Sequence, residues 1–436
     1  MTSAMAPVMT PYFPEHGDRR YGVSHYDLTL DYRVPANRLA GTARLTVSAA
    51  EPLGVLDLDL GKFRVSGVTV DGVPARYVHG QGKLRVTLPR SLPAGGQAGV
   101  EVRYSGNPLP VPSPWGGLGW EELTDGALVA GQPIGAPSWF PCNDRPGDKA
   151  SYRISVTTAS PYQVIANGVL VTRRRSAGST TWIYDQPEPM ASYLASVQIG
   201  RYRLAEVAGI EVAHPARLAT RVRHDFGRQG EMMELFTDLF GAYPFTGYTV
   251  VVADDDLDIP VEAQGMSIFG RNHVDGARGF ERLVAHELAH QWFGNSLTVA
   301  CWRDIWLQEG FATYAEWLWS EASGGPSAGD HVERWHRRLA LLPQDFVLAD
   351  PGPAALFDDR VYKRGALTLH ALRRAVGDQA FFPALRAWTA EHRHGSVTTA
   401  QFAGHVQRHT SRPIGPLLSA WLYGKPMPRP AAPPDH

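Results

Sequence analysis

Cysteine is scarce in this chain, with Cys142 and Cys301 the two among 436 residues. That count excludes a disulfide framework and a cysteine-type metal site. A single Cys142–Cys301 bridge stays open, against the simpler reading of two buried free thiols. Net charge is missing too: 42 Lys and Arg stand against 43 Asp and Glu, a formal balance of −1. A general nucleic-acid binder needs a basic surface that this balance does not supply. No run approaches the roughly 18–20 apolar residues that cross a bilayer. The opening MTSAMAPVMTPYFPEHGDRRYG lacks a basic start followed by an apolar stretch, so cytoplasmic residence is the expectation. There is no fixed-period repeat, and the proline-rich C-terminal tail is the one biased tract.

What is present is a chain too long for one core, which implies two or three domains. Hydrophobic residues make up 44% and charged residues 19%, as in ordinary globular proteins. From Tyr26 the pattern has period two: Tyr26, Leu28, Leu30 and Tyr32 alternate with Asp27, Thr29, Asp31 and Arg33. The alternation returns at Ala43-Leu45-Val47, Leu56-Leu58-Leu60, Leu84-Val86-Leu88 and Val100-Val102-Tyr104. Asp71-Gly72 and Gly80-Gln81-Gly82 supply turns between these runs. The spacing predicts a large antiparallel β-domain over residues 1–205. Beyond it, over 206–436, short strands (TGYTVVVADD, GMSIFG) give way to helical patterns. The fold class is therefore α+β and multi-domain, a β-domain followed by a mixed, then helical one.

One stretch carries chemistry. In GFERLVAHELAHQWFGN, His286 and His290 stand at i and i+4 and project from one side of a helix, so both imidazoles reach one cation. Glu287 leans toward the same edge. Glu309 follows in WLQEGFATYAEWLW, a second helical pattern in which Glu309, Thr313 and Glu316 share a face. Asp304 is the expected N-cap of that helix, with Gly294-Asn295 and Gly324-Gly325-Pro326 as the stops of the two helices. Two imidazoles and a carboxylate, with a fourth position left for water, make the His₂Glu set of a catalytic zinc site. The plain alternative is a pair of satisfied helix histidines. Leu283, Val284, Leu288 and Trp292 argue for a buried helix, and unpaired buried charge is costly. Asp254-Asp255-Asp256-Leu257-Asp258 lacks the ligand spacing of a calcium loop. His392 with His394, and His331 with His336, show no third ligand and read as surface histidines.

HELAHQWFGN followed by WRDIWLQEGFATYAEW resembles the signature of the M1 gluzincins, zinc aminopeptidases of the aminopeptidase N and leukotriene hydrolase type. FPCNDRPGDKASY (140–152) and VYKRGALTLHAL (361–372) are similar to two further segments of that family. The resemblance implies a saddle-like N-terminal β-domain and a thermolysin-like catalytic domain. It implies one Zn2+ per chain, held by His286, His290 and Glu309. Glu287 would be the general base for the attacking water, Tyr362 the oxyanion donor, and Glu316 the carboxylate that orients a ligand histidine. In IPVEAQGMSIFG, Glu262 matches the family's ammonium-binding glutamate, although Val261 and Ala263 replace its Met and Asn neighbours. Gln132 matches the assisting glutamine upstream, and Arg145 stands where the family has Glu. The implied substrates are peptides with a free N-terminus, with no nucleic acid and no membrane. Larger members continue beyond the point where this sequence ends, so a shorter form with a more open site is expected. An endopeptidase or epoxide hydrolase on the same metal, or a non-catalytic zinc scaffold, are the alternatives.

Overall fold

The computed structural model describes residues 11–428. The first ten residues, and the proline-rich tail from 429 onward, lie outside the described residues. The period-two runs form strands whose apolar faces are buried: Tyr26, Leu28, Leu30 and Tyr32 are each at most 2% exposed. They belong to an eight-stranded sheet in the order 169–176, 179–191, 149–159, 21–33, 38–49, 97–106, 64–70 and 73–74. That sheet is antiparallel except for one pair. Strand Tyr21–Arg33 runs parallel to Lys149–Ala159, with Tyr26 beside Tyr152. The two are joined through more than a hundred residues of intervening chain, so no hairpin constrains their direction. A three-stranded sheet (53–59, 83–92, 76–80) and a five-stranded one (163–166, 197–200, 126–130, 116–123, 111–113) complete the β-rich half.

A further sheet begins at Tyr202. Its order is 202–207, 210–215, 249–252, 266–269 and 261–263, with parallel pairs at its centre and Val261–Ala263 as an antiparallel edge. Helices α1 (Ala219–Asp225) and α2 (Gln229–Phe240) precede the central strand, and α3 (Glu281–Ala289) follows the edge. Then come α4 (Trp306–Ala322), α5 (Ala328–Leu339), α6 (Asp359–Val376), α7 (Asp378–Glu391), α8 (Thr399–Arg408) and α9 (Gly415–Tyr423). Trp120, Trp139, Trp292, Trp306, Trp317 and Trp388 are fully buried, and one continuous apolar core reaches from Tyr21 to Leu422. Among the described residues no helix is long and apolar enough to cross a membrane.

Two helix-end expectations need correction. Asp304 does not cap α4, whose N-cap is Ile305 without a side-chain bond. Its carboxylate instead accepts from the backbone N–H and hydroxyl of Thr399, at the start of α8. The tertiary partner outcompetes the local amide. Helix α3 ends at Ala289, earlier than the Gly294 stop, and His290 becomes its C-cap. Gly294 holds φ 128° in the turn beyond, where the chain reverses toward the second histidine's own hydrogen bond. Cys142 and Cys301 are free; Cys142 is buried, and the partly exposed Cys301 donates to Asp304.

Candidate active site

Helix α3 delivers His286 on its last turn and His290 at its cap, and α4 delivers Glu309 on its first turn. The Glu309 Oε2 lies 3.5 Å from the Nε2 atoms of both His286 and His290. Donors bound at about 2.0–2.1 Å around a tetrahedral ion stand about 3.3–3.4 Å apart, so the two edges from Glu309 already have close to the spacing of a zinc site, and all three donor atoms lie within 4.8 Å of one another. The outer ring nitrogens are engaged: His286 Nδ1 donates to Glu316 Oε1 at 2.8 Å, and His290 Nδ1 to the Phe293 carbonyl at 3.0 Å. Each bond holds the proton on Nδ1 and turns the Nε2 lone pair inward.

The electrostatics favour positive charge among these carboxylates. Burial would lower the His286 pKa, yet the bonded Glu309 and Glu316 carboxylates raise it to about 9. His290 is likewise depressed by burial but lifted to about 10 by Glu262 and Glu309. Burial opposes ionisation of Glu309, but His290 and His286 bring its pKa down to about 2. Without a metal the site thus draws protons onto its imidazoles, and a divalent ion would replace that charge.

Glu287 is 4% exposed and its Oε2 has no hydrogen-bond partner. Burial raises its pKa, leaving an enclosed carboxylate suited to accept a proton. Glu262, on the edge strand, is 7% exposed and takes a 2.6 Å bond from Gln132 Nε2. Burial lifts its pKa to about 7. Glu262 and Glu287 stand within 4.8 Å of His290. The Tyr362 ring, from the first turns of α6, stacks on His286 with centroids 6.1 Å apart. All eight residues singled out from the sequence are therefore gathered around one point.

Residues 23–194 match the peptidase M1 N-terminal domain, and residues 225–421 match the peptidase family M1 domain. The chain belongs to peptidase family M1. Its fold superposes on an M1 zinc metallopeptidase from Deinococcus radiodurans with a TM-score of 0.88 and 32% identity, covering 97% of this chain and 99% of that one. A variant of that protein bound to a Tyr-Ser-Ala substrate gives a TM-score of 0.86. Among curated sequences, a probable M1 family aminopeptidase of Encephalitozoon cuniculi is 25% identical over 91% of this chain and 50% of its own length. Aminopeptidase M1-B of Oryza sativa is 24% identical over 91% of this chain and 49% of its own length. The chain spans about half the length of these curated relatives.

Several residues that position this M1 site escaped the motif-level reading. Gln291 accepts from the Gly265 N–H at 2.9 Å and donates to the carbonyls of Ala263 and Met266. Asn295 also donates to the Ala263 carbonyl, at 2.9 Å. Together they hold the Glu262 strand against α3, and they do so through backbone groups. The replacement of its neighbours by Val261 and Ala263 therefore leaves Glu262 in reach of Gln132. The signal was in the sequence, since both residues lie in HELAHQWFGN. Arg145 packs its stem on Gly17 and donates to the Asp18 carbonyl at 2.9 Å, which gives that departure a structural role in the N-terminal segment. The Asp254–Asp258 run is tied down by Arg217, Thr124 and Arg271.

Proposed function

We propose that this chain is a zinc-dependent aminopeptidase that removes N-terminal residues from peptides. The observation that carries the reading is the hydrogen-bonded pair of half-buried Gln132 and buried Glu262 beside His290, in a site whose second carboxylate, Glu287, has an unpartnered oxygen. Bound zinc supplies Lewis acidity toward a carbonyl and acidifies water. His286, His290 and Glu309 hold it, and Glu316 keeps His286 in the competent tautomer. Glu262 and Gln132 receive the substrate's α-ammonium, and because Glu262 lies within 4.8 Å of His290 and Glu287, the first peptide bond would fall beside the residues that would hold the metal. Glu287 takes the proton of the attacking water and returns it to the leaving amine. The Tyr362 hydroxyl donates to the oxyanion; burial and the carboxylates of Glu309, Glu262 and Glu287 raise its pKa and keep its proton in place. The tripeptide bound to the Deinococcus variant, and the L-arginine and L-tryptophan bound to a two-domain M1 zinc metallopeptidase variant, are ligands of the kind this clamp would accept.

The test is a panel of free and N-blocked aminoacyl reporters, with and without a chelator. Turnover should require metal and an unblocked amine. Glu287→Gln should keep its zinc and lose about 10²–10⁴-fold in kcat. Glu262→Ala should erase the preference for the free amine. A parent enzyme that cleaves blocked substrates as well as free ones would replace this reading with an endopeptidase.

A further inference from the structure

A second cluster of metal-ligating side chains lies apart from the cleft, where α7 ends and α8 ends. Glu391 is the last residue of α7, and His405 and His409 stand one turn apart at the C-terminal end of α8. One donor atom from each lies within 4.8 Å of the others. His405 is fully buried, and its Nε2 donates to the Ala384 carbonyl at 2.8 Å. That bond leaves Nδ1 as the acceptor nitrogen, 3.3 Å from Glu391 Oε2. The separation is the edge of a tetrahedron of nitrogen and oxygen donors around zinc, about 3.3–3.4 Å. The carbonyl plays toward His405 the part that the Phe293 carbonyl plays toward His290.

The rings of His405 and His409 have centroids 4.6 Å apart, close to the 4.8 Å between His286 and His290. A cation already stands in this cluster. A guanidinium nitrogen of Arg408 is 3.2 Å from both Glu391 Oε2 and His405 Nδ1. The Arg408 side chain is 61% exposed, so it leaves for solvent at little cost. His392 faces the cluster from α7's C-cap, with its ring centroid 6.4 Å from that of His405.

We propose that Glu391, His405 and His409 form a second, non-catalytic site for a divalent transition-metal ion, with Arg408 as its placeholder when no metal is bound. Two imidazoles with one carboxylate favour zinc, nickel or copper over calcium or magnesium, which take oxygen ligands. The ion would pin the exposed ends of α7 and α8 together. Behind them Trp388 packs on His405 and Phe402, and Phe402 packs on Trp306 and Phe311 of α4, the helix that carries Glu309.

The test counts metal and does not depend on turnover. The tag-free full chain is stripped with chelator and dialysed against zinc chloride, and bound zinc is measured by atomic emission. The parent should hold one ion more per chain than His409→Ala or Glu391→Gln, whatever the catalytic site itself retains. Each variant should weaken this ion by at least about ten-fold, as disturbed metal shells do. Arg408→Ala should tighten it about two- to five-fold, the scale of an exposed ion pair removed from competition. Equal zinc in the parent and in the His409→Ala, Glu391→Gln double variant would overturn the proposal. So would an Arg408→Ala chain that binds the ion no more tightly than the parent.

Discussion

Helices α4 and α6 meet backbone to backbone, and that contact sets where Tyr362 stands. A Cβ on Gly365 would lie 2.7 Å from the Gly310 Cα, and a Cβ on Gly310 would lie 2.8 Å from the Gly365 Cα. Carbon atoms in ordinary contact are about 3.5–4.0 Å apart, so Gly365→Ala forces the helices roughly 1 Å further apart. Overpacking of this kind costs about 1–3 kcal/mol. Replacing glycine inside a helix returns about 1 kcal/mol. The net loss is about 0–2 kcal/mol, small beside the ~5–15 kcal/mol of a typical fold. The protein should therefore fold with a slightly lowered Tm. Its chemistry should suffer more. Tyr362 precedes Gly365 by three residues and moves with it, while Glu309 stays on α4 beside Gly310. A displacement near 1 Å costs up to about 10²-fold in rate, so kcat on an unblocked aminoacyl reporter should fall about 10–100-fold. KM should change little, because Glu262 and Gln132 are on other elements. The control is Gly404→Ala on α8, where an added Cβ meets nothing within 4 Å; it should leave kcat unchanged and stability equal or higher. A folded Gly365→Ala enzyme with kcat within about two-fold of the parent would refute this coupling.

Glu316→Gln keeps the size of the side chain but removes the charge that holds His286, and zinc affinity should drop about 10–100-fold in chelator competition. Unchanged affinity would mean that His286 is oriented by packing alone. Lys149 gives the clearest dependence on pH. Its ammonium donates to the carbonyls of Asn295, Ser296 and Gly395, and burial pushes its pKa down to about 7. The unfolded lysine keeps its proton to about pH 10.4. The unfolded state thus binds more protons between about pH 7 and pH 10, and stability rises with pH across that window. The span is at most about 4–5 kcal/mol, less what the three carbonyl acceptors return to the charged form. Lys149→Met should flatten this slope in denaturant melts at pH 7 and pH 9.5, and parallel slopes would count against it.

What the sequence makes legible, and what it hides, divides by the range of the interaction. His286 and His290 are readable because four residues along a helix fix their geometry. The alternating faces of the first strands are readable because the pleat repeats every two residues. Glu309 is readable as a partner only through a pattern that spans two helices, and Glu262 and Gln132, which are 130 residues apart, only through resemblance. Asp304 shows the limit from the other side: a local rule made it a cap, and a side chain and amide on α8 claimed it instead. The contacts that no pattern announces are those made to backbone. Gln291 and Asn295 grip carbonyls of the Glu262 strand, Lys149 grips the turn after α3, and Gly310 and Gly365 touch through their Cα atoms. Every residue offers the same backbone atoms, so a partner strand's side chains carry no mark of such a bond. These are also the contacts that keep Glu262 in reach of Gln132 despite the altered VEA loop. A clamp held by its carbonyls tolerates a change of side chain on either side of Glu262, whereas a clamp held by those side chains would not. Loss of the Gln291 amide should therefore damage free-amine selectivity more than restoring Met or Asn at 261 or 263 improves it.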